Sequence, residues 1–324
     1  MRTKIVYVLV SQESDYYYEM FLLSHYSLRL HHPKGDAEVV LVMDTDTHQR
    51  LVDKNAPVLA DVTPVVVSIP EEYTIMQRSR YLKTSLRQRV EGDFLFLDTD
   101  TLVCEKLDDT DSFDVDIAMV ADLHCLHEIG LSTIERCKQA GFSQSENYHF
   151  FFNSGVFFCR QKPSIELFFR KWHEYWKQSL QRGVYYDQPA MWAANYAMGA
   201  PVQEISGIWN SQTLCPAYTA YISQTKILHY FVSINRSILQ KYLFEHIKTT
   251  GTVSGSTAQI ARHPRTTGIS VFSSSMNDER TLDYLFSDLL HVYDYTPPLY
   301  RFLVKISHIL VKPIRFFAVL RHRL

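Results

Sequence analysis

Apolar and polar positions follow two rhythms along this chain. Residues 5–10, 38–43, 61–69, 94–97 and 114–120 are short runs rich in valine, isoleucine, leucine and phenylalanine. Such runs suit strands buried on both faces of a largely parallel sheet. Between them, residues 15–30 and 71–90 repeat apolar positions at helical spacing, and THQRLVD (47–53) starts a more polar helix. Strand, helix, strand, helix, strand is the opening of a doubly wound α/β sheet. Further on, 163–180 predicts a long aromatic helix, 190–197 a shorter one and KILHY (226–230) a brief strand. Residues 249–276, rich in serine, threonine and glycine, read as an extended or mobile loop, either a connector or a lid. Residues 277–293 return to an amphipathic helical pattern.

Polar residues interrupt this pattern at informative places. FLFLDTDTLV puts Asp98, Thr99 and Asp100 at the carboxyl end of a predicted central strand, where open α/β sheets form their ligand crevices. Two carboxylates one residue apart at such an exit suit a hard divalent cation, or form an acidic turn. A second pair, Asp44 and Asp46, precedes the THQRLVD helix and reads as a cap or turn. Arg80 and Lys83 are three apart on a predicted helix, so they share a face from which a cation reaches Asp98 or a phosphate. Asn153, Ser154 and Gly155 break the apolar run of YHFFFNSGVFFCR, forming either a bulge or a close approach to a ligand. Trp172 and Trp176, at i and i+4, read as core; Asp187 reads as a helix cap or a site residue.

Composition narrows the class. The chain has 324 residues with a formal charge of −2, which gives no whole-chain argument for nucleic acid binding. The five cysteines, Cys104, Cys125, Cys137, Cys159 and Cys215, lack metal-type or paired spacing and read as reduced thiols in a cytosolic compartment. No stretch reaches the length of a spanning helix, and the apolar run near the start is too short for a signal peptide.

Taken in order, FLFLDTDTLV, FFNSGVFFCR, DQPA and WN followed by KILHY resemble the nucleotide-sugar glycosyltransferases of the GT-A fold, most closely the retaining family eight galactosyl- and glucosyltransferases. The resemblance covers roughly residues 3–235 and implies a Rossmann-like mixed central sheet flanked by helices. It implies a catalytic domain over 1–240, with nucleotide-sugar binding in 1–120 and the acceptor side in 121–240. It further implies that Asp98 and Asp100 bind Mn²⁺ or Mg²⁺ and the donor diphosphate, with His229 as third ligand. Tyr7, Val8 and Thr99 fall beside the donor, Arg80 or Lys83 contacts it, Asn153 faces its sugar, and Asp187 and Gln188 stand at the reaction centre. The implied reaction moves a hexose from a UDP-sugar to a glycan or lipid-linked glycan hydroxyl with retention, as in cell-surface polysaccharide or lipopolysaccharide synthesis. The chain departs from the family after His229, where YFVSINRS lacks the usual glycine and Lys-Pro-Trp; Arg236 and Lys241 are the basic residues nearby. A nucleotidyltransferase normally carries a glycine-rich basic loop after the first strand, which SQESDYYYE is not. A non-catalytic glycan-binding protein with the same fold is the other alternative.

An extension over 241–298 leads to residues 299–324, which carry Arg301, Lys305, Lys312, Arg315, Arg321 and Arg323 and no acid. These interleave with Phe302, Ile306, Ile309, Leu310, Phe316, Phe317 and Leu320. The pattern predicts a basic amphipathic segment on an anionic membrane surface, at the inner face of the cytoplasmic membrane, or a terminal helix packed on the domain.

Overall fold

The computed structural model describes residues 1–124, 131–142, 151–214, 216–230 and 238–272, with the helical positions 298, 299, 302, 305, 306 and 309. The strands are β1 (Lys4–Leu9), β2 (Val39–Asp44), β3 (Thr63–Val67), β4 (Phe94–Leu97), β5 (Thr101–Val103), β6 (Ile117–Ala121), β7 (Phe152–Cys159), β8 (Gln203–Glu204), β9 (Ser211–Gln212) and β10 (Ile227–His229). The helices are α1 (Tyr17–His31), α2 (Thr45–Asp53), α3 (Ile75–Thr84), α4 (Leu131–Gln139), α5 (Pro163–Gln181), α6 (Gln188–Ala197), α7 (Ile238–Thr250), α8 (Gly255–Arg262) and α9 (Ile269–Phe272).

Seven strands form one mixed sheet in the order β3-β2-β1-β4-β7-β6-β8, and β5-β10-β9 form a small second sheet. The first four strands of the large sheet are parallel, and β7 runs antiparallel between β4 and β6. Alternation along β1 divides the core. Val6, Val8 and Val10 pack on one face with Phe96, Phe157, Trp172 and Trp176, while Ile5, Tyr7 and Leu9 pack on the other with Phe21 and Leu28 of α1. The proline of TPVVV sits in β3, an edge strand, where a missing ladder N–H is tolerated.

Helix α5 starts with Pro163 at its first position and buries Ile165, Phe168, Phe169, Trp172 and Trp176 along one stripe. The tryptophans are core, and their indole N–H groups also have a use. Trp176 Nε1 donates to Tyr185 O and Trp172 Nε1 to Asp187 O, each at 3.0 Å, which fixes the backbone entering α6. Asp44 caps α2 by accepting from Thr47 N at 3.0 Å, and Arg78 holds both Asp44 and Asp46.

Within the stretch expected as a loop, residues 255–262 and 264–272 are helical. Thr257 Oγ1 accepts from Ser254 N at 2.9 Å at the start of α8, so the hydroxyl residues close a helix end. Ile260, Ala261 and Phe272 are buried in a third core with Met20, Leu102, Leu228 and Phe244. Hydrophilic composition hid this segment, although Val253 and Val271 also pack against that core. The expected 277–293 helix lies outside the described residues. Cys104, Cys137 and Cys159 are buried free thiols, whereas Cys125 and Cys215 have no described side chains.

Candidate active site

Strand β4 ends at Leu97, and a turn carrying Asp98, Thr99 and Asp100 leads directly into β5. The turn, rather than a continued extended strand, brings the two carboxylates together. Strand β10 pairs antiparallel with β5, His229 opposite Thr101, so the histidine arrives beside Asp100 by sheet register. His229 Nε2 lies 3.3 Å from Asp100 Oδ1. Asp98, Asp100 and His229 each offer one ligand atom, all within 4.8 Å of one another. Two carboxylate oxygens and an imidazole nitrogen at that spacing fit an Mn²⁺- or Mg²⁺-type ion, whose octahedral ligands sit about 3 Å apart along an edge.

Cations from α3 stand behind the acids. Lys83 is 2% exposed; its Nζ lies 3.2 Å from both oxygens of Asp98 and 3.6 Å from Asp187 Oδ2. Arg80 Nε lies 3.0 Å from Asp187 Oδ1. Burial alone would raise the Asp187 carboxyl, but Lys83 and Arg80 outweigh it and hold the group below its ordinary value. Burial, with Asp100 adding to it, raises Asp98 despite Lys83, His229 and Arg80. The expected cap at Asp187 is a helix start in position only. Its side chain makes no cap bond and instead accepts from Ser154 Oγ at 2.8 Å.

Asn153 is 3% exposed and bonded on both amide atoms. Its Nδ2 donates to Asp122 Oδ1, and its Oδ1 accepts from Gly155 N and Asn210 Nδ2, all at 2.9 Å. It therefore stands behind Asp122, to which Gln188 Nε2 also donates at 3.1 Å. Asp122 was not singled out by the sequence as a site residue. The signal available was an acid at the carboxyl end of a buried strand, the same signal that marks Asp98. Burial raises its carboxyl, partly offset by the bonds from Asn153 and Gln188. β7 is unbroken as a strand, but its register with β6 jumps from Met119 opposite Phe157 to Val120 opposite Asn153, so Ser154, Gly155 and Val156 have no partner in β6 and the segment bulges there.

A cleft beside the acids is lined by Val8, Tyr17, Ile75, Arg80, Asp98, Thr99 and Asp100, among others. Arg80 therefore faces the cleft, while Lys83 is the buried cation between Asp98 and Asp187. Tyr7 points the opposite way from Val8. It is fully buried, with its hydroxyl 3.0 Å from Ser24 Oγ, and so does not reach the cleft where the resemblance put it. Arg236 lies outside the described residues, and Lys241 is exposed on α7.

No protein-family model matches the chain, and no curated protein does. Among solved structures the chain is similar to mouse xyloside xylosyltransferase 1 in its apo form, at 13% identity and a TM-score of 0.49, over 73% of this chain and 99% of that one. It is also similar to the glycosyltransferase GlyE of Streptococcus pneumoniae TIGR4, at 14% identity and a TM-score of 0.47, over 83% of this chain and 65% of that one. The apo form of GlyE gives 15% identity and a TM-score of 0.45, over 83% and 64% of the two chains.

Proposed function

We propose that this protein is a metal-dependent GT-A glycosyltransferase that moves a hexose from a UDP-sugar to a glycan hydroxyl. One observation carries the reading: His229, far in sequence from Asp98 and Asp100, joins them so that the three bring their ligand atoms within 4.8 Å at the rim of a cleft that also contains Arg80. When bound there, the ion supplies Lewis-acid stabilisation of the departing nucleoside diphosphate. Arg80 adds a fixed cation on the leaving-group side, already held by Asp187, so it needs little reorganisation as charge develops. Asp122 and Gln188, joined to each other, present a carboxylate and an amide to the sugar hydroxyls.

The state of Asp187 supports retention. An inverting enzyme needs a carboxylate base opposite the leaving group. Both oxygens of Asp187 are engaged, Oδ1 by Arg80 and Oδ2 by Ser154 and Lys83, and the group is held in its anionic form. Asp187 thus acts as a counter-ion that orients its neighbours, and the leaving phosphate takes the proton of the attacking hydroxyl. The test is a panel of nucleotide sugars assayed for Mn²⁺-dependent turnover, with Asp100→Ala as control. Turnover of a UDP-hexose, abolished in the variant and giving a product of unchanged anomeric configuration by nuclear magnetic resonance, is expected. No turnover of any donor removes the enzymatic reading, and an inverted product removes retention.

The acceptor side of the proposal is a lipid-linked glycan at an anionic membrane surface. Leu299, Phe302, Ile306 and Ile309 are exposed helical positions spaced i, i+3, i+7 and i+10, which share one face, and Lys305 lies among them. Among the described residues no helix is long and apolar enough to cross a membrane. An apolar stripe in a segment whose charges are all basic suits lying in the headgroup region.

A further inference from the structure

We infer that Asn210 is a positioning residue that fixes which nitrogen of His229 faces the metal site, and that it ties this choice to the sugar-facing Asp122 through Asn153. The inference rests on the metal-dependent reading above. Its strength is that the direction of every hydrogen bond in the chain follows from one group that cannot be turned around.

That group is the backbone N–H of Gly155, which donates to Asn153 Oδ1 at 2.9 Å. A backbone N–H is only a donor, so the atom it meets on Asn153 is the amide oxygen. The amide nitrogen of Asn153 then faces Asp122 Oδ1, a carboxylate oxygen, which fits a donor. The same Asn153 oxygen lies 2.9 Å from the Asn210 amide and takes a second donor there, which must be Nδ2. Asn210 Oδ1 is therefore turned toward His229 Nδ1 at 3.0 Å, and an amide oxygen only accepts. His229 must carry its proton on Nδ1. In the neutral imidazole, Nε2 then holds the lone pair, and Nε2 is the atom on the Asp100 side.

The backbone leaves little freedom to rearrange this chain. Asn210 immediately precedes β9, and β9 pairs in parallel with β10, which delivers His229. Asn210 is fully buried and His229 is 2% exposed, so neither amide nor ring is turned by solvent. Gly155 lets the ring lie directly over the strand, since a Cβ there would stand 2.2 Å from His229 Cε1. Partners of this kind, holding the far nitrogen of a ligating histidine, typically change metal affinity by about ten- to a hundredfold.

The test measures Mn²⁺ binding to the full chain without donor, by electron paramagnetic resonance of the free ion, alongside Asn210→Ala, Asn210→Asp and Asp100→Ala. Asn210→Ala should weaken Mn²⁺ about ten- to a hundredfold. Asn210→Asp keeps an acceptor opposite Nδ1 but turns a second acceptor onto Asn153 Oδ1 in place of a donor, so it should recover only part of the affinity that Asn210→Ala loses. Unchanged affinity in Asn210→Ala overturns the assignment. A parent chain that binds Mn²⁺ no better than Asp100→Ala overturns the metal reading along with it. A second measurement needs no variant at the site beyond assignment: ¹⁵N-histidine spectra of the metal-free chain, with His229→Gln identifying the signal. A protonated Nδ1 supports the inference, whether or not Nε2 also carries a proton toward Asp100, and a ring unprotonated at Nδ1 overturns it.

Discussion

Lys83 Nζ stands 3.2 Å from each carboxylate oxygen of Asp98 and 3.6 Å from Oδ2 of Asp187, so one buried ammonium joins the acid of the metal cluster to the acid at the start of α6. The ring of Phe96 lies under it, 5.0 Å from Nζ to the ring centroid, which adds a cation–π contact. Lys83→Met removes the shared partner and leaves Asp98 and Asp187 to repel each other, with Arg80 as the α3 cation remaining near both. Breaking a buried pair in this way should cost about 3–5 kcal/mol. Denaturant unfolding measures it, and adding Asp98→Asn to the variant should recover part of the loss. A Lys83→Met chain as stable as the parent contradicts the arrangement.

Gly155→Ala tests the packing of His229 by a single methyl group. Gly155 does not need the left-handed backbone region, so the effect is steric: the new Cβ meets His229 Cε1 at 2.2 Å and Asn153 Oδ1 at 2.9 Å. The expected result is a loss of about 1–3 kcal/mol in stability, as overpacking gives, with Mn²⁺ affinity falling at least about tenfold as the ring is displaced. Retained affinity would show that the ring does not lie over this strand.

Acid sensitivity should begin above the carboxylate range. Burial, with His229 nearby adding to it, holds the His124 imidazole down at about 3, and its Nε2 accepts from Gln212 N at 2.9 Å. Its ordinary value is 6.5, so the unfolded chain takes the proton first as the pH falls. The stability from a neutral His124 is complete above 6.5 and is lost as pH falls from there toward the folded value near 3. The slope is up to about 1.4 kcal/mol per pH unit. His173, held near 4 by burial, adds in the same direction. Unfolding free energies between about pH 7 and pH 4 should fall steadily, and His124→Gln should flatten the curve; parallel curves for the two proteins would refute this.

Phe272→Ala distinguishes a packed C-terminal core from a connector. Phe272 is 5% exposed and stacks on Tyr230 at 3.8 Å between ring centroids. Truncating a buried aromatic should cost about 3–5 kcal/mol, whereas a residue in an unpacked loop would cost almost nothing. Thermal or denaturant unfolding decides between them.

Replacing Leu299, Phe302, Ile306 and Ile309 together by serine should abolish sedimentation with phosphatidylserine vesicles while leaving the unfolding midpoint unchanged, because these side chains are exposed. Equal sedimentation of the two proteins, or none by the parent, would count against the membrane-surface proposal.

Much of the frame was legible in the residues. β4 falls on 94–97 as the apolar run predicts, and the strands around it lie within a few residues of their expected positions, because buried parallel strands leave long apolar runs. Trp172 and Trp176 read correctly as core from their i, i+4 spacing, though nothing in that spacing announces that their indoles hold the backbone at Tyr185 and Asp187. The helices α8 and α9 were missed because Ser254 and Thr257 carry end-capping chemistry that composition counts as loop character.

By itself, then, the sequence determined the sheet and the residue types at its carboxyl edge, since both follow from local periodicity and from where polar groups interrupt it. Tertiary structure decided which of those residues meet. Register between β5 and β10 set His229 beside Asp100, and the turn after β4 aimed Asp98 and Asp100 together. Packing sent Lys83 behind Asp98, left Arg80 on the cleft, turned Tyr7 into the core and enclosed Asn153 behind Asp122. Hydrogen bonds between buried polar groups depend on distances of a few tenths of an ångström across strands remote in sequence. No local pattern encodes those distances.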